Sequence, residues 1–219
     1  MYHQELYRCF LFREMSREKI DSSLGLLKGR IKSYQKNEIV ISEESEVRDV
    51  GVLLSGEMCK VRYFSDGTEQ MVQKLQKSYM VGLEIAVSMK KTSPYSMYAS
   101  QPSEVFWFPV RCLEEPGILE ETDRIHLYRR IVYFLANEDI RKYRKIEILS
   151  SGSVRAKIEK YLQIQRIRYQ SNEFDIDFNR EELASYLGLN RSVLSHELKN
   201  MEKDGLLTVR KNHFILHHM

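Results

Sequence analysis

The sequence predicts an α+β chain in three successive parts: an antiparallel barrel or roll of short strands, one long helix, and a C-terminal winged helix–turn–helix. Three observations carry this reading. Residues 31–109 alternate apolar and polar side chains in short runs between turn signals. Residues 123–149 hold no Pro or Gly and repeat apolar residues at steps of three and four. Residues 178–207 read as two short amphipathic helices about Gly188, with a small hairpin behind them.

Taken in order, residues 4–28 have helical spacing in Leu6, Phe10, Leu11, Ile20, Leu24 and Leu27, with a second piece starting near Ser16. Short strands are expected at 38–42, 50–54, 58–64, 69–75, 95–99 and 104–108. Asn37, Gly56, Asp66-Gly67 and Pro102 punctuate them, and Asp66-Gly67 between two alternating runs is a hairpin signal. Such spacing of short strands argues for a closed antiparallel architecture.

The long helix carries one stripe of Ile125, Tyr128, Val132, Leu135, Asp139, Lys142, Ile146 and Leu149. That is a heptad seam, with Ile131 and Phe134 as a second apolar patch. A helix with two apolar faces has more surface to bury than its own domain can cover, so pairing with a second copy is expected. Asp139 and Lys142 break the seam, either to set register or to face a pocket in the barrel. Ser150-Ser-Gly-Ser marks a boundary, with Gly152 as hinge and Ser153 as cap of the next helix, 154–168. The expected divisions are 1–120, 121–150 and 151–219.

In the C-terminal part, Asn179 stands at an N-cap before Arg180–Leu187, and Glu181 and Glu182 put negative charge in its first turn. Gly188 supplies the turn, Leu189 fills the angle and Asn190 is expected to cap the helix Arg191–Lys203. Val193, Leu194, Leu198 and Met201 are expected inward. Arg191, Ser192, Ser195, His196 and Lys199 fall on the other face, where the core needs none of them. An Arg near the start of such a helix matches the paired acceptors of guanine in the major groove, and Ser or His reaches base edges or phosphates. Arg180 and the hairpin-tip Lys211, with Asn212 and His213 beside it, complete the set expected against double-stranded DNA.

A net charge of +3 neither demands nor forbids nucleic acid, but residues 141–168 are crowded with Lys and Arg, opposed only by Glu147 and Glu159. Cys9, Cys59 and Cys112 are scattered without a CxxC pair, so a cysteine-held metal cluster is not expected. No apolar run approaches the ~20 residues needed to span a bilayer, and no signal peptide is visible, so a cytoplasmic location is expected. No nucleophile–base set, paired-carboxylate cleft or phosphate-cradling loop marks an enzyme.

The order of these parts resembles the Crp/Fnr family of bacterial transcription regulators. The specific matches are residues 180–198, REELASYLGLNRSVLSHEL, with Val52-Leu-Leu-Ser-Gly-Glu-Met and Phe64-Ser-Asp-Gly. The resemblance implies an N-terminal antiparallel β-roll (a double-stranded β-helix) that senses an effector, and a long dimerisation helix. It also implies a recognition helix over 191–203 that reads a palindromic operator, with RNA polymerase as a further partner. The sequence departs from the members that bind cyclic nucleotides. Their phosphate-clamping Arg-Ser or Arg-Thr pair is replaced by Ser93-Pro94, and no Arg lies between Arg62 and Arg111. An ordinary cyclic nucleotide is therefore not the expected effector. With only Cys9 near the N-terminus, and with Cys59, Cys112 and His126 in no recognisable arrangement, neither an iron–sulfur cluster nor haem is expected, and no cofactor or metal is assigned. The candidate effector pocket comprises Gly82, Glu84, Tyr95 and Met97, closed by Lys142 and Tyr143 from the long helix, for an unidentified small molecule; the same residues read equally as packed core. The alternative is a small-molecule sensor acting through a protein partner, which would lack the steep salt dependence that phosphate contacts impose.

Overall fold

The computed structural model describes residues 3–217. The chain forms two compact units: residues up to Thr68 with Val72–Glu138, and Glu69–Met71 with Asp139 onward.

The first unit opens with α1 (Gln4–Arg8), a 3₁₀ turn (Phe10–Phe12) and α2 (Arg17–Leu27). The Ser16 hydroxyl accepts from the Lys19 N–H at 3.3 Å and starts α2 where the sequence signals it. Cys9 breaks the first piece: its extended backbone (φ −57°, ψ 140°) turns Leu11 and Phe12 into the core. The strands are β1 (Arg30–Tyr34), β2 (Ile39–Ile41), β3 (Asp49–Ser55), β4 (Met58–Tyr63), β5 (Glu69–Leu75), β6 (Met80–Val81), β7 (Ser96–Ala99) and β8 (Ser103–Pro109). Two short helices, α3 (Leu83–Ala86) and α4 (Arg111–Glu114), interrupt and follow them. They form two sheets of four, ordered β1-β8-β3-β6 and β2-β7-β4-β5. Two strands, β1 and β6, go unmarked in the sequence. In β1 only Tyr34 is buried, so no alternation shows, and β6 has two residues.

Strand β3 lies between β8 and β6 and buries Val50–Leu54 without a break. Gly51 is required there, since a Cβ would meet Val105 at 2.7 Å and Trp107 at 3.0 Å. Phe108, Met58 and Leu75 fill the space between the sheets.

The long helix α5 (Glu121–Leu149) runs 29 residues, about 43 Å at 1.5 Å per residue. Its buried side toward the first unit is Leu127, Arg130, Ile131, Phe134 and Glu138. The Arg130 Nε donates to the Phe10 carbonyl at 3.1 Å, with the guanidinium 4.1 Å from the Phe10 ring. The seam stripe is on the opposite side: Ile125, Val132 and Ile146 are 58–62% exposed.

The second unit adds α6 (Val154–Tyr169), β9 (Glu173–Asp175), α7 (Arg180–Leu187), α8 (Arg191–Lys203), β10 (Leu207–Arg210) and β11 (His213–Leu216). The strands pair antiparallel in the order β10-β11-β9. Ile158, Leu162, Leu183, Leu187, Leu194, Leu198, Met201 and Phe214 make its core. Val193, expected inward, is instead 40% exposed: the buried phase is 194, 198 and 201, and 193 stands a 100° step away from it. On α6 the polar Gln165 is buried, while Val154 and Ile164 are only half-buried. Replacing the fully buried Leu187 by Ala is expected to cost about 2–5 kcal/mol in denaturant unfolding followed by circular dichroism. The exposed Ser192→Ala should stay within about 0.5 kcal/mol of the parent.

Candidate nucleic-acid interface

The first helix of the motif starts with a complete capping box. The Asn179 side chain accepts from Glu181 and Glu182 N–H, and the Glu182 carboxylate accepts from Asn179 N–H at 2.7 Å. The helix ends at Gly188 in the left-handed region, φ 62°. Leu189 N–H then closes onto the Ala184 carbonyl at 2.9 Å. Asn190 takes the N-cap position of α8, but its side chain makes no cap hydrogen bond.

Behind α8, polar clamps fix its position. Arg155 on α6 donates through Nε to Glu197 at 2.5 Å and through Nη1 to Asp204 at 2.7 Å. The hydrogen bonds to Glu197 and then Asp204 hold the guanidinium above its ordinary range. Glu202 accepts from the Val209 N–H at 2.9 Å and ties α8 to β10. Phe178, Tyr186 and Tyr161 pack as an aromatic cluster beneath α7, with Phe178 and Tyr186 centroids 4.9 Å apart. The Lys145 amine of α5, whose pKa burial lowers to about 6, donates to the Tyr186 carbonyl.

The opposite face of α8 is free. Arg191, Ser192, His196 and Lys199 are exposed and Ser195 is half-buried. Among the described residues none of the five side chains makes a hydrogen bond or ion pair within the chain. They span a little over two turns, about 12 Å of helix, alongside a groove about 12 Å wide. Arg180 behaves differently. It is half-buried, donates to the Lys211 carbonyl at 2.9 Å and lies 5.9 Å from the Phe214 ring. Burial pushes its guanidinium below the usual range. It braces the wing against α7. At the wing tip Lys211 and Arg210 are exposed. Asn212 is engaged with the Ile176 carbonyl at 3.1 Å, and His213 faces Asp175 and Glu173, each at 3.2 Å.

The roll interior carries a second constellation. On β4, Lys60 donates to Glu84 at 2.6 Å; the side chains are 5% and 14% exposed. The Tyr95 hydroxyl donates to the same carboxylate oxygen at 2.7 Å, and the Lys60 ammonium sits 4.4 Å from the Tyr95 ring. Burial pushes the Glu84 carboxyl up, but the Lys60 charge and hydrogen bond and the Tyr95 hydroxyl outweigh it and hold the group low. Burial first, then the Glu84 charge, pushes the Tyr95 hydroxyl far up, so it stays a donor. Met97, fully buried, is the cross-strand partner of Lys60. Gly82 turns the chain into α3 with φ 71°. Close by, the Tyr79 hydroxyl donates to the buried Glu138 and accepts from Gln73 at 2.6 Å. The structure thus brings Glu84, Tyr95 and Met97 together around Lys60, which the sequence reading missed. Its signal was a Lys inside the apolar strand Met58-Cys-Lys-Val. Lys142 and Tyr143 belong to the second unit, and both are exposed.

Residues 31–115 match the cyclic nucleotide-binding domain, and residues 156–219 match the Crp-like helix–turn–helix domain. The regulatory protein HlyX of Actinobacillus pleuropneumoniae is 24% identical over 195 residues, covering 87% of this chain and 79% of that one. The transcriptional activator FnrL of Cereibacter sphaeroides is 26% identical, covering 84% and 75%. Among solved structures, the c-di-GMP responsive regulator CLP of Xanthomonas campestris superposes with a TM-score of 0.73 at 17% identity, over 93% of this chain and all of that one. FixK2 of Bradyrhizobium japonicum gives 0.66 at 16% identity, over 86% and 92%. A roll of the cyclic-nucleotide-binding type, followed by a long helix and a winged helix–turn–helix, defines a transcription regulator with its own DNA-binding domain. The chain belongs to the Crp/Fnr family. No helix among the described residues is long and apolar enough to cross a membrane.

The low-held Glu84 carboxyl fixes a sign for pH. Its contribution is complete above its unfolded value, about 4.3, and is lost as the pH falls through the lower folded value. Melting temperature should therefore drop more steeply below about pH 4.3 for the parent than for a Lys60→Met/Glu84→Leu chain, measured by calorimetry.

Proposed function

We propose that the protein is a homodimeric regulator that binds a palindromic operator through α8. Arg191, Ser192, Ser195, His196 and Lys199 read the major groove, and Lys211 lies along the flanking phosphates. Arg180 contributes by holding the wing at the start of α7. The observation that carries the reading is the outward face of α8. Its arginine, lysine and histidine side chains have no ion-pair or hydrogen-bond partner among the described residues, while the carboxylates of the same helix are engaged from behind by Arg155 and β10. The exposed Ile125, Val132 and Ile146 of the α5 seam support pairing of two chains. Two-fold symmetry then implies half-sites one DNA turn apart, about 34 Å, and leaves RNA polymerase as a partner at a promoter. The effector is not a cyclic nucleotide. The ammonium inside the roll is already neutralised by Glu84, and the sequence supplies no arginine for a phosphodiester between Arg62 and Arg111.

Selection of bound duplexes from a random pool tests this directly: a palindrome is expected, and recovery of no preferred sequence would refute it. Arg191→Ala should weaken operator binding by about 1–3 kcal/mol and relax preference at one base position, read by fluorescence anisotropy across operator variants. Placing a charge on the open row by Val132→Glu should convert the dimer to monomer in sedimentation analysis, with operator affinity falling in parallel.

A further inference from the structure

A buried ammonium needs a counter-charge, because an unpaired one is strongly disfavoured away from water. In a site that recognises an anion, the ligand brings that charge and the protein waits for it. In this roll the anion is part of the chain. Lys60 projects from β4 into the interior, and its partner is the Glu84 carboxylate, held in place by the Gly82 turn and α3. A Cβ on Gly82 would meet Val47 at 3.2 Å and Ile41 at 3.3 Å, so the turn that delivers Glu84 is closely fitted.

We propose that Glu84 acts as a ligand in cis. Its carboxylate takes the anion's place on Lys60, so the roll accepts no anionic effector and keeps its arrangement with no small molecule bound. This deepens the regulator reading and rests on it only for the consequence at DNA. One carboxylate oxygen collects both the ammonium and the Tyr95 hydroxyl, the donor set that a bound carboxylate would use. The Tyr95 ring flanks the ammonium, and Met97 closes the neighbouring strand position. A second buried carboxylate, Glu138 on the Tyr79 hydroxyl, adds to the negative charge acting on Tyr95. An incoming phosphate or carboxylate would therefore be a third anion beside one ammonium, and repulsion would oppose it.

The test uses the full chain and three variants: Glu84→Ala, Glu84→Gln and Lys60→Met/Glu84→Leu. Glu84→Ala strips Lys60 of its anion and opens space beside it. It should melt several degrees below the parent, and sodium acetate should restore much of the loss where sodium chloride at equal ionic strength does not. The parent should ignore acetate and give no heat when titrated with cyclic AMP. Glu84→Gln keeps the shape without the charge and should also melt low, which decides the matter if the Ala chain fails to fold. The double variant removes both charges and should melt near the parent with no response to acetate. Glu84→Gln melting with the parent, acetate lifting every chain equally, or cyclic AMP binding the parent would each overturn the proposal. All these readouts concern the roll alone. Failure to find an operator would sink the DNA reading and leave this one standing, and the reverse holds equally.

Discussion

A helix with apolar residues on opposite sides cannot bury both of them within one small unit, and α5 is built under that constraint. One side is used up: Leu127, Ile131 and Phe134 close the core of the roll, with Arg130 reaching the Phe10 carbonyl. The other side presents Ile125, Val132, Ile140 and Ile146 to water. Apolar area left open along a helix favours a partner of the same periodicity, and under the proposed pairing a second α5 covers it. The proposed spacing of two recognition helices follows from that pairing.

The second unit obeys a division of labour by face. Everything that fixes α8 is at its back or its end: the apolar Leu194, Leu198 and Met201, the Arg155 fork on Glu197 and Asp204, and the Glu202 bond to β10. The Arg155 fork pairs the charges of Glu197 and Asp204, and the Val209 N–H holds the Glu202 carboxylate toward β10. Arg180 extends the same logic to the wing by holding the Lys211 carbonyl, which leaves the Lys211 ammonium outward. Sequence reading placed Arg180 among the residues expected against DNA. Its half-burial against Phe214 is a tertiary fact that spacing cannot show.

Local signals were legible wherever one residue decides one bond. Ser16, Ser153 and Asn179 cap the helices they precede, and Gly188 takes the left-handed turn expected of it. The heptad stripe on α5 was legible as a period: Ile125, Tyr128, Val132 and Ile146 are exposed in the single chain, while Leu135 and Leu149 are half-buried. Less legible were features set by neighbours distant in sequence. Strand β1 buries only Tyr34 and is defined by pairing with β8. Val193 looks as apolar as Leu194, yet one helical step separates solvent from core. The Lys60–Glu84 pair joins residues 24 apart through the curl of the roll, so no window of sequence contains both its charge and its answer. Sequence reading noted the missing arginine and could not see the Lys60–Glu84 pair.

Among the described residues the side chains of Arg191, Ser192, His196 and Lys199 make no hydrogen bond or ion pair, so under the proposed reading mutation at these positions alters what is recognised without threatening whether the chain folds. A lineage carrying this scaffold can therefore drift from one set of target genes to another by single substitutions, each intermediate remaining a viable protein. The buried pair in the roll has no such latitude, since either partner changed alone leaves a stranded charge. The two halves of the molecule should accordingly diverge at different speeds, the address quickly and the interior of the sensor slowly.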